Sequence, residues 1–285
     1  MRPNIPELDE LINKEPIKVG HDGFVRLVDY MGSEQSIVRA ARVSYGDGTK
    51  SVREDTGLLR YLMEHKHTSP FEQAELAFHC RLPIYIARQW IRHRTANVNE
   101  YSGRYSEITS GAERITEWRT QDTVNKQGSS GVLSEEISSY LSAQQKLLQD
   151  SAESVYQERL SKGVAREIAR NDLPLSTYTE WYWKIDLHNL LHFLTLRMDS
   201  HAQKEIREYA EAISKFVEIG FPNIWQAHLD FNVNSVKFSA PEIKVLSECK
   251  DTTDPEVIVE VAKKYLTSKR AIRSLIEKCL KISGG

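Results

Sequence analysis

Apolar and polar residues alternate most cleanly in AELAFHCRLP (74–83), where Leu76, Phe78, Cys80 and Leu82 are separated by Ala77, His79 and Arg81. A period of two is that of a half-buried strand, and the segment is predicted as one. GFVRLVDYMG (23–32) and LSTYTEWYW (175–183) are rich in β-branched and aromatic residues and are also predicted as strands. Elsewhere the spacing is helical. SEQSIVRAARVSY (33–45) offers Ser33 or Ser36 as a cap, sets Ile37, Ala40 and Ala41 on one face, and ends at GDGTK. TGLLRYLMEHKH keeps Leu58, Leu59, Leu62 and Met63 in register. Pro83 can open a helix running to Arg94, with Ile84, Ala87 and Ile91 toward the core. Residues 134–163 predict a long helix stopped by Gly163, and VAREIARND continues helically until Pro174. The stretch 188–220 predicts helix with a break near Asp199 and Ser200.

Three segments follow from this pattern. Residues 1–20 read as a polar lead-in carrying Pro3, Pro6 and Pro16, residues 21–232 hold the strands and long helices, and 233–285 form a helical extension. Residues 107–133, rich in Gly, Ser and Thr, read as a long polar excursion. No internal repeat is found.

Composition changes this picture little. With 40% hydrophobic and 27% charged residues over 285 positions, the chain can bury a sizeable core. Its formal net charge of -2 argues against coating nucleic acid by bulk electrostatics, so any anion binding must come from local clustering. Cys80, Cys249 and Cys279 make no C-x-x-C pair, which fits a reducing cytoplasm. No apolar run is long enough for a signal peptide or a membrane span.

Clustering is what RQWIRHRTANVNEYSGRYS (88–106) supplies: Arg88, Arg92, Arg94 and Arg104 with His93. Guanidinium groups so close repel unless an anion lies between them, and their planar forks suit phosphate and carboxylate oxygens. A solvated charged face is the plain alternative. Trp90, Ile91, Val98 and Tyr101 interleave with the charges, however, and Ser102–Gly103 lets a ligand approach the backbone. His188 and His192 stand four apart on a predicted helix, with His201 further on, which is zinc-like spacing without a neighbouring glutamate base. HKHTSPFEQ (65–73) places Ser69 in a turn that could meet a phosphate or could be purely structural. Neither G-x-G-x-x-G nor G-x-x-x-x-G-K-[ST] occurs, so bound phosphates must be neutralised by side chains. Cys80, in mid-strand, reads as a core thiol.

Arg92-His93-Arg94, then seven residues, then Ser102 resembles the signature of the flavin-dependent thymidylate synthases. Gln89 before it, Asn99 to Arg104 after it, HKHTSPFEQ and LTLRMDSHAQKEI (194–206) resemble the same family, from about residue 20 to 230. The resemblance implies an α+β fold with a central, largely antiparallel sheet and long helices, assembled as a homotetramer with shared active sites. It implies synthesis of dTMP from dUMP, with methylenetetrahydrofolate as carbon donor, FAD as hydride carrier and NADPH as flavin reductant. The family's FAD ligands map onto Ser69, Arg92, His93, Arg94, Glu100, Asp186, His188 and His192. Its nucleotide ligands map onto Gln89, Arg92, Glu100, Ser102, Gly103, Arg104, Arg170 and Arg197. At 186, 188 and 192 the family more often carries Asn, Arg and Asn, so this chain departs from the pattern there.

Arg197 resembles the residue that faces the uracil edge, where a permanent cation favours the deprotonated, electron-rich ring and strengthens C5 as a nucleophile. Arginine keeps its proton, so this role is electrostatic. Ser102 has no adjacent base and is expected to position the nucleotide. Two rivals remain open on residues alone: a nucleic-acid module stacking bases on Trp90 and Tyr101, and a metal hydrolase built on His188, His192 and His201.

Overall fold

Glu75–Pro83 forms the strand at the middle of the sheet, and its side chains obey the period of two. Leu76, Phe78, Cys80 and Leu82 are fully buried, and the residues between them are half-buried. The computed structural model describes residues 4–43, 52–108, 111–122, 128–250 and 254–282; the GDGTK break lies outside them. In chain order the elements are α1 (Pro6–Asp9), β1 (Ile17–Val19), β2 (Gly23–Met31), α2 (Glu34–Ala41), α3 (Val52–Glu64), β3 (Glu75–Pro83), α4 (Ile84–Trp90) and β4 (Asn97–Glu100). There follow β5 (Arg119–Gln121), β6 (Ser129–Val132), α5 (Glu135–Ser161), α6 (Arg166–Ala169), β7 (Tyr178–Asp186), α7 (Leu187–Arg197), α8 (Lys204–Gly220) and α9 (Pro222–His228). The last three are α10 (Ala240–Glu248), α11 (Pro255–Tyr265) and α12 (Lys269–Ile282).

The main sheet has the order β1-β2-β3-β7-β4 and every neighbouring pair in it is antiparallel. This is an α+β fold with a central antiparallel sheet. β3 and β7 pair along their full length, from Glu75 opposite Asp186 to Pro83 opposite Tyr178. β4 is an edge strand, with Asn97 opposite Lys184 and Glu100 opposite Trp181. The polar excursion contains a second ladder of β5 and β6, whose Ser, Thr and Gly content gives no apolar alternation to read.

α4, α7 and α8 contribute to the core on the buried face of the sheet. Phe78 meets Phe216 of α8 with ring centroids 5.7 Å apart, and Trp183 meets Phe193 of α7 at 5.2 Å. Helix α4 corrects the expected one in two respects. It stops at Trp90 rather than Arg94, because the His93 N–H turns back to the Trp90 carbonyl at 3.0 Å. Its buried face is Ile86, Ala87 and Trp90, while Ile91 is 41% exposed. The indole, as the largest apolar group, sets the rotation of the helix.

The caps follow local chemistry. Ser33 accepts the Ser36 N–H at the start of α2, and Gly163 takes a positive φ just beyond α5. After α3, Lys66 adopts φ 57° and the His67 N–H reaches the Leu62 carbonyl, closing the helix without glycine. The segment expected as a polar lead-in is partly built into the core. Leu8 is fully buried against Gly220, and the Ile5 N–H donates to the Tyr30 hydroxyl at 2.6 Å.

Residues 1–228 make one compact unit and 229–285 another. The second has its own core of Val245, Cys249, Ile258, Ala262 and Leu275, with a Ser239–Glu242 capping box opening α10.

Gly32 ends β2 at φ +83°, where a Cβ would lie 2.7 Å from the Gln73 carbonyl oxygen and 3.0 Å from the Ala74 Cα. Both contacts are backbone and cannot swing aside. Gly32→Ala is expected to cost about 2 kcal/mol or more, read as a shift in the urea midpoint at unchanged slope.

Candidate active site

Three groups of side chains gather around the α4–β4 turn, β7 and α7. The first is set by the turn after α4. Trp90 drives its ring between Trp181, Trp183, Phe193 and Tyr209, at centroid distances of 5.4, 5.1, 5.0 and 5.9 Å. With the indole fixed, the three residues Arg92, His93 and Arg94 must leave the core together, and His93 falls against α7. Its ring meets Phe193 edge-on at 4.9 Å and lies 6.2 Å from His192. Nε2 of His93 accepts the Nε–H of Arg197 at 2.9 Å. Arg197 is the last residue of α7, so the helix delivers a cation at the end where its own dipole welcomes one.

Electrostatics fix the protonation of this pair. Burial, then the Arg197 cation, then His192 lower His93 to about 4, so near neutrality it is the uncharged acceptor the contact needs. Burial also lowers Arg197 from the usual guanidinium range, yet it remains a cation at any working pH.

The second group lies beyond β4. The Glu100 carboxylate accepts the Thr179 hydroxyl at 2.7 Å, and the Tyr101 N–H continues the ladder to the Glu180 carbonyl. The chain then turns through Ser102, whose Oγ accepts the Arg104 N–H at 3.4 Å. A Cβ on Gly103 would lie 2.6 Å from Ile108 Cδ1 and 3.3 Å from Arg170 Nη1, so the bare glycine lets the guanidinium reach the turn. Arg170 is presented by a 3-10 turn that Arg159 clamps, through the Ala169 carbonyl at 3.2 Å and Asp172 at 2.5 Å. The side-chain oxygen of Gln89 is buried without a hydrogen-bond partner. Such an acceptor costs on the order of 1–3 kcal/mol unless a donor reaches it.

The third group is at the other end of α7. The loop carrying exposed Ser69 leads through Phe71–Gln73 to Ala74, whose carbonyl accepts the Leu187 N–H at 2.8 Å. Ser69 and His188 are thereby tied to one end of the sheet. Asp186, expected among the FAD contacts, has its oxygens turned to its own helix. Oδ1 accepts the Asn189 N–H at 2.9 Å and Oδ2 the Asn189 side-chain amide at 2.7 Å.

Among the described residues, Arg88, Arg92, Arg94 and Arg170 have no ion pair, whereas Arg104 meets Glu167 at 3.2 Å. His201 does not join His188 and His192 but folds onto Asp199 at 2.8 Å. No group of three His, Cys, Asp or Glu among the described residues is arranged to hold a metal ion. Cys80 is fully buried and its thiol is pushed far up by burial, which leaves it inert. Sequence reasoning missed Thr179, Asn189 and Phe193, which orient Glu100, Asp186 and His93. Each is an ordinary strand or helix residue until register is known.

Arg92 and Arg94 stand exposed on the turn after α4 without ion pairs among the described residues, which makes this turn a candidate site for anionic ligands held by side chains. Residues 26–223 match the family model described as Thymidylate synthase complementing protein, and the chain belongs to this family, that of the flavin-dependent thymidylate synthases. It is 50% identical over 246 residues to the flavin-dependent thymidylate synthase of Ehrlichia ruminantium, covering 86% of this chain and 82% of the relative. The enzyme of the same description from Thermus thermophilus is 50% identical over 230 residues, covering 81% and 84%. A crystal structure of the UMP/dUMP methylase PolB from Streptomyces cacaoi, bound with 5-Br dUMP, superposes with a TM-score of 0.69. It is 32% identical and covers 76% of this chain and 99% of its own.

Two measurements check the site's architecture. Asp186→Ala should lower stability by about 1 kcal/mol through loss of the helix cap, while Asp186→Asn should keep most of it, both by urea unfolding. The pH dependence follows from His93 and from His228, which burial also lowers to about 4. Between roughly pH 6.5 and 4 the unfolded chain binds more protons at these imidazoles than the folded one. Stability should therefore fall as pH drops through that window, and His93→Gln should make the fall shallower.

Proposed function

We propose that the arginines of α4 and the turn after it, with Arg170, gather dUMP and FAD side by side, and that the chain is a methyltransferase converting dUMP to dTMP. The observation that supports this most is the set of four guanidinium groups, Arg88, Arg92, Arg94 and Arg170, without ion pairs among the described residues. A nucleoside monophosphate and a dinucleotide pyrophosphate supply the anions that relieve their mutual repulsion. The orphaned Gln89 oxygen fits the same ligands, whose hydroxyl and ring N–H groups can donate to it.

Gln89, Arg92, Glu100, Ser102, Gly103, Arg104, Arg170 and Arg197 hold the nucleotide in this reading. Ser69, Arg92, His93, Arg94, Glu100, His188 and His192 hold FAD, which supplies the hydride that completes the methyl group, with NADPH as its reductant and methylenetetrahydrofolate as carbon donor. Asp186 acts through the α7 cap instead of on a phosphate, since both oxygens are engaged and a second anion would repel the pyrophosphate. Arg197 stabilises the N3-deprotonated pyrimidine electrostatically, raising electron density at C5 without accepting a proton itself. Ser102 orients the nucleotide.

Assembly as a homotetramer with shared sites is supported by β4. It is an edge strand with four exposed residues, and it carries Glu100. A cytoplasmic setting is supported by three free cysteines; among the described residues, no helix is long and apolar enough to cross a membrane.

The test is spectroscopic and kinetic. Purified protein, loaded with FAD, should show flavin absorption and form dTMP from dUMP; a colourless protein that cannot be loaded, or that ignores dUMP, ends this reading. Arg94→Ala should lose flavin on gel filtration. Arg197→Lys should retain flavin but fall about 100-fold in kcat/KM for dUMP, because a point charge replaces a fork.

A further inference from the structure

The contact between Arg197 and His93 consumes one particular edge of the guanidinium. A guanidinium has five N–H bonds, arranged as a side edge containing Nε and an end-on edge made only of Nη1 and Nη2. His93 takes the side edge by accepting from Nε at 2.9 Å. Among the described residues, the terminal amino groups of Arg197 have no partner. His93 is itself held: Trp90 anchors the turn behind it, and Phe193 of α7, one helical turn before Arg197, packs against its ring at 4.9 Å.

We propose that His93 is a positioning residue, which grips Arg197 by Nε and so aims Nη1 and Nη2 end-on at the pyrimidine edge of the nucleotide. This rests on the role given to Arg197 above. A deprotonated uracil offers N3 and a neighbouring carbonyl oxygen as adjacent acceptors, and two parallel N–H donors match that pair. Held only by its flexible stem, Arg197 would sample many rotamers and spread its field over phosphate and solvent as well. The acceptor must be Nε2, so the imidazole proton stands on Nδ1.

Glutamine and asparagine separate the acceptor from the ring. The Gln amide oxygen reaches as far as Nε2, whereas the Asn amide stops one methylene short, and both are neutral at every pH. With FAD-loaded protein, His93→Gln should stay within about 5-fold of wild type in kcat/KM for dUMP, and His93→Asn should fall about 30-fold or more, since small misplacements of a positioned group are costly. Most of the Asn loss should lie in kcat measured at saturating FAD, with the Gln and Asn variants alike in flavin retention because both lack the imidazole. In an Arg197→Lys background, His93→Asn should add less than about 3-fold, because a group that acts through Arg197 has nothing left to position. Equal losses in the Gln and Asn variants overturn the proposal. So does full additivity with Arg197→Lys, and so does flavin loss with kcat unchanged, which would make His93 a cofactor ligand alone. A wild-type protein that binds no FAD or ignores dUMP refutes the functional reading first; a fully active wild type matched by His93→Asn removes only the positioning role.

Discussion

Everything at the site hangs from the burial of one indole. Trp90 closes α4, and its ring is enclosed by two tryptophans of β7, a phenylalanine of α7 and a tyrosine of α8. Stacked and edge-on aromatic pairs contribute about 0.5–1.5 kcal/mol each beyond the area they bury, and here one side chain makes four. The elements carrying the site are thereby fixed relative to one another. α4 cannot rotate without moving Trp90, and the next turn cannot wander because Trp90 also receives the His93 N–H. The polar chemistry begins two residues past a side chain with no exposed surface.

That rigidity is what allows like charges to be collected. Arginines on a mobile loop would splay apart or find surface carboxylates, as the exposed Arg104 does with Glu167. Arg92 and Arg94 sit on a turn pinned from beneath, and Arg170 is held by the clamp of Arg159 on the backbone around it. In the function proposed above, arriving anions relieve the repulsion among these cations, which favours ligands bearing concentrated negative charge. The same logic sets the state of His93. Partial burial, and after it two neighbouring basic groups, keep it neutral, so it accepts a hydrogen bond where a charged imidazole could only donate.

Legibility in the sequence followed the physics of each element. β3 declared itself because one face is buried and the other is not, which prints a period of two into Leu76, Phe78, Cys80 and Leu82. The long α5 and the α7–α8 break were equally plain from spacing. β4 was silent: four exposed residues, Asn97 to Glu100, form a strand only because β7 offers its edge. β5 and β6 were silent for the same reason, having no core to face. The end of α4 was misplaced because periodicity continues through Ile91, while the chain actually follows the demand of Trp90 for depth. At the site, Arg92, His93, Arg94, Ser102 and Arg197 were legible from a motif. The contact of His93 with Arg197 was not, since it joins residues 104 positions apart in the chain. Asp186 was named as an FAD ligand from the motif, and the structure adds what the motif does not, that its two oxygens accept from Asn189 and cap α7.

The pairing of β4 with β7 has a consequence for how such a chain can drift. Between Arg94 and Ser102 lie a short connection, four paired residues and one further ladder bond from Tyr101. Side chains on a strand change sides at every step, so inserting or deleting one residue here would turn Glu100 away from Thr179 and carry the Ser102 turn off Arg170. Exposed positions such as Asn97 and Val98 can exchange their side chains at little expense. Length is the unforgiving quantity in this stretch: it behaves like a ruler whose gradations are peptide units.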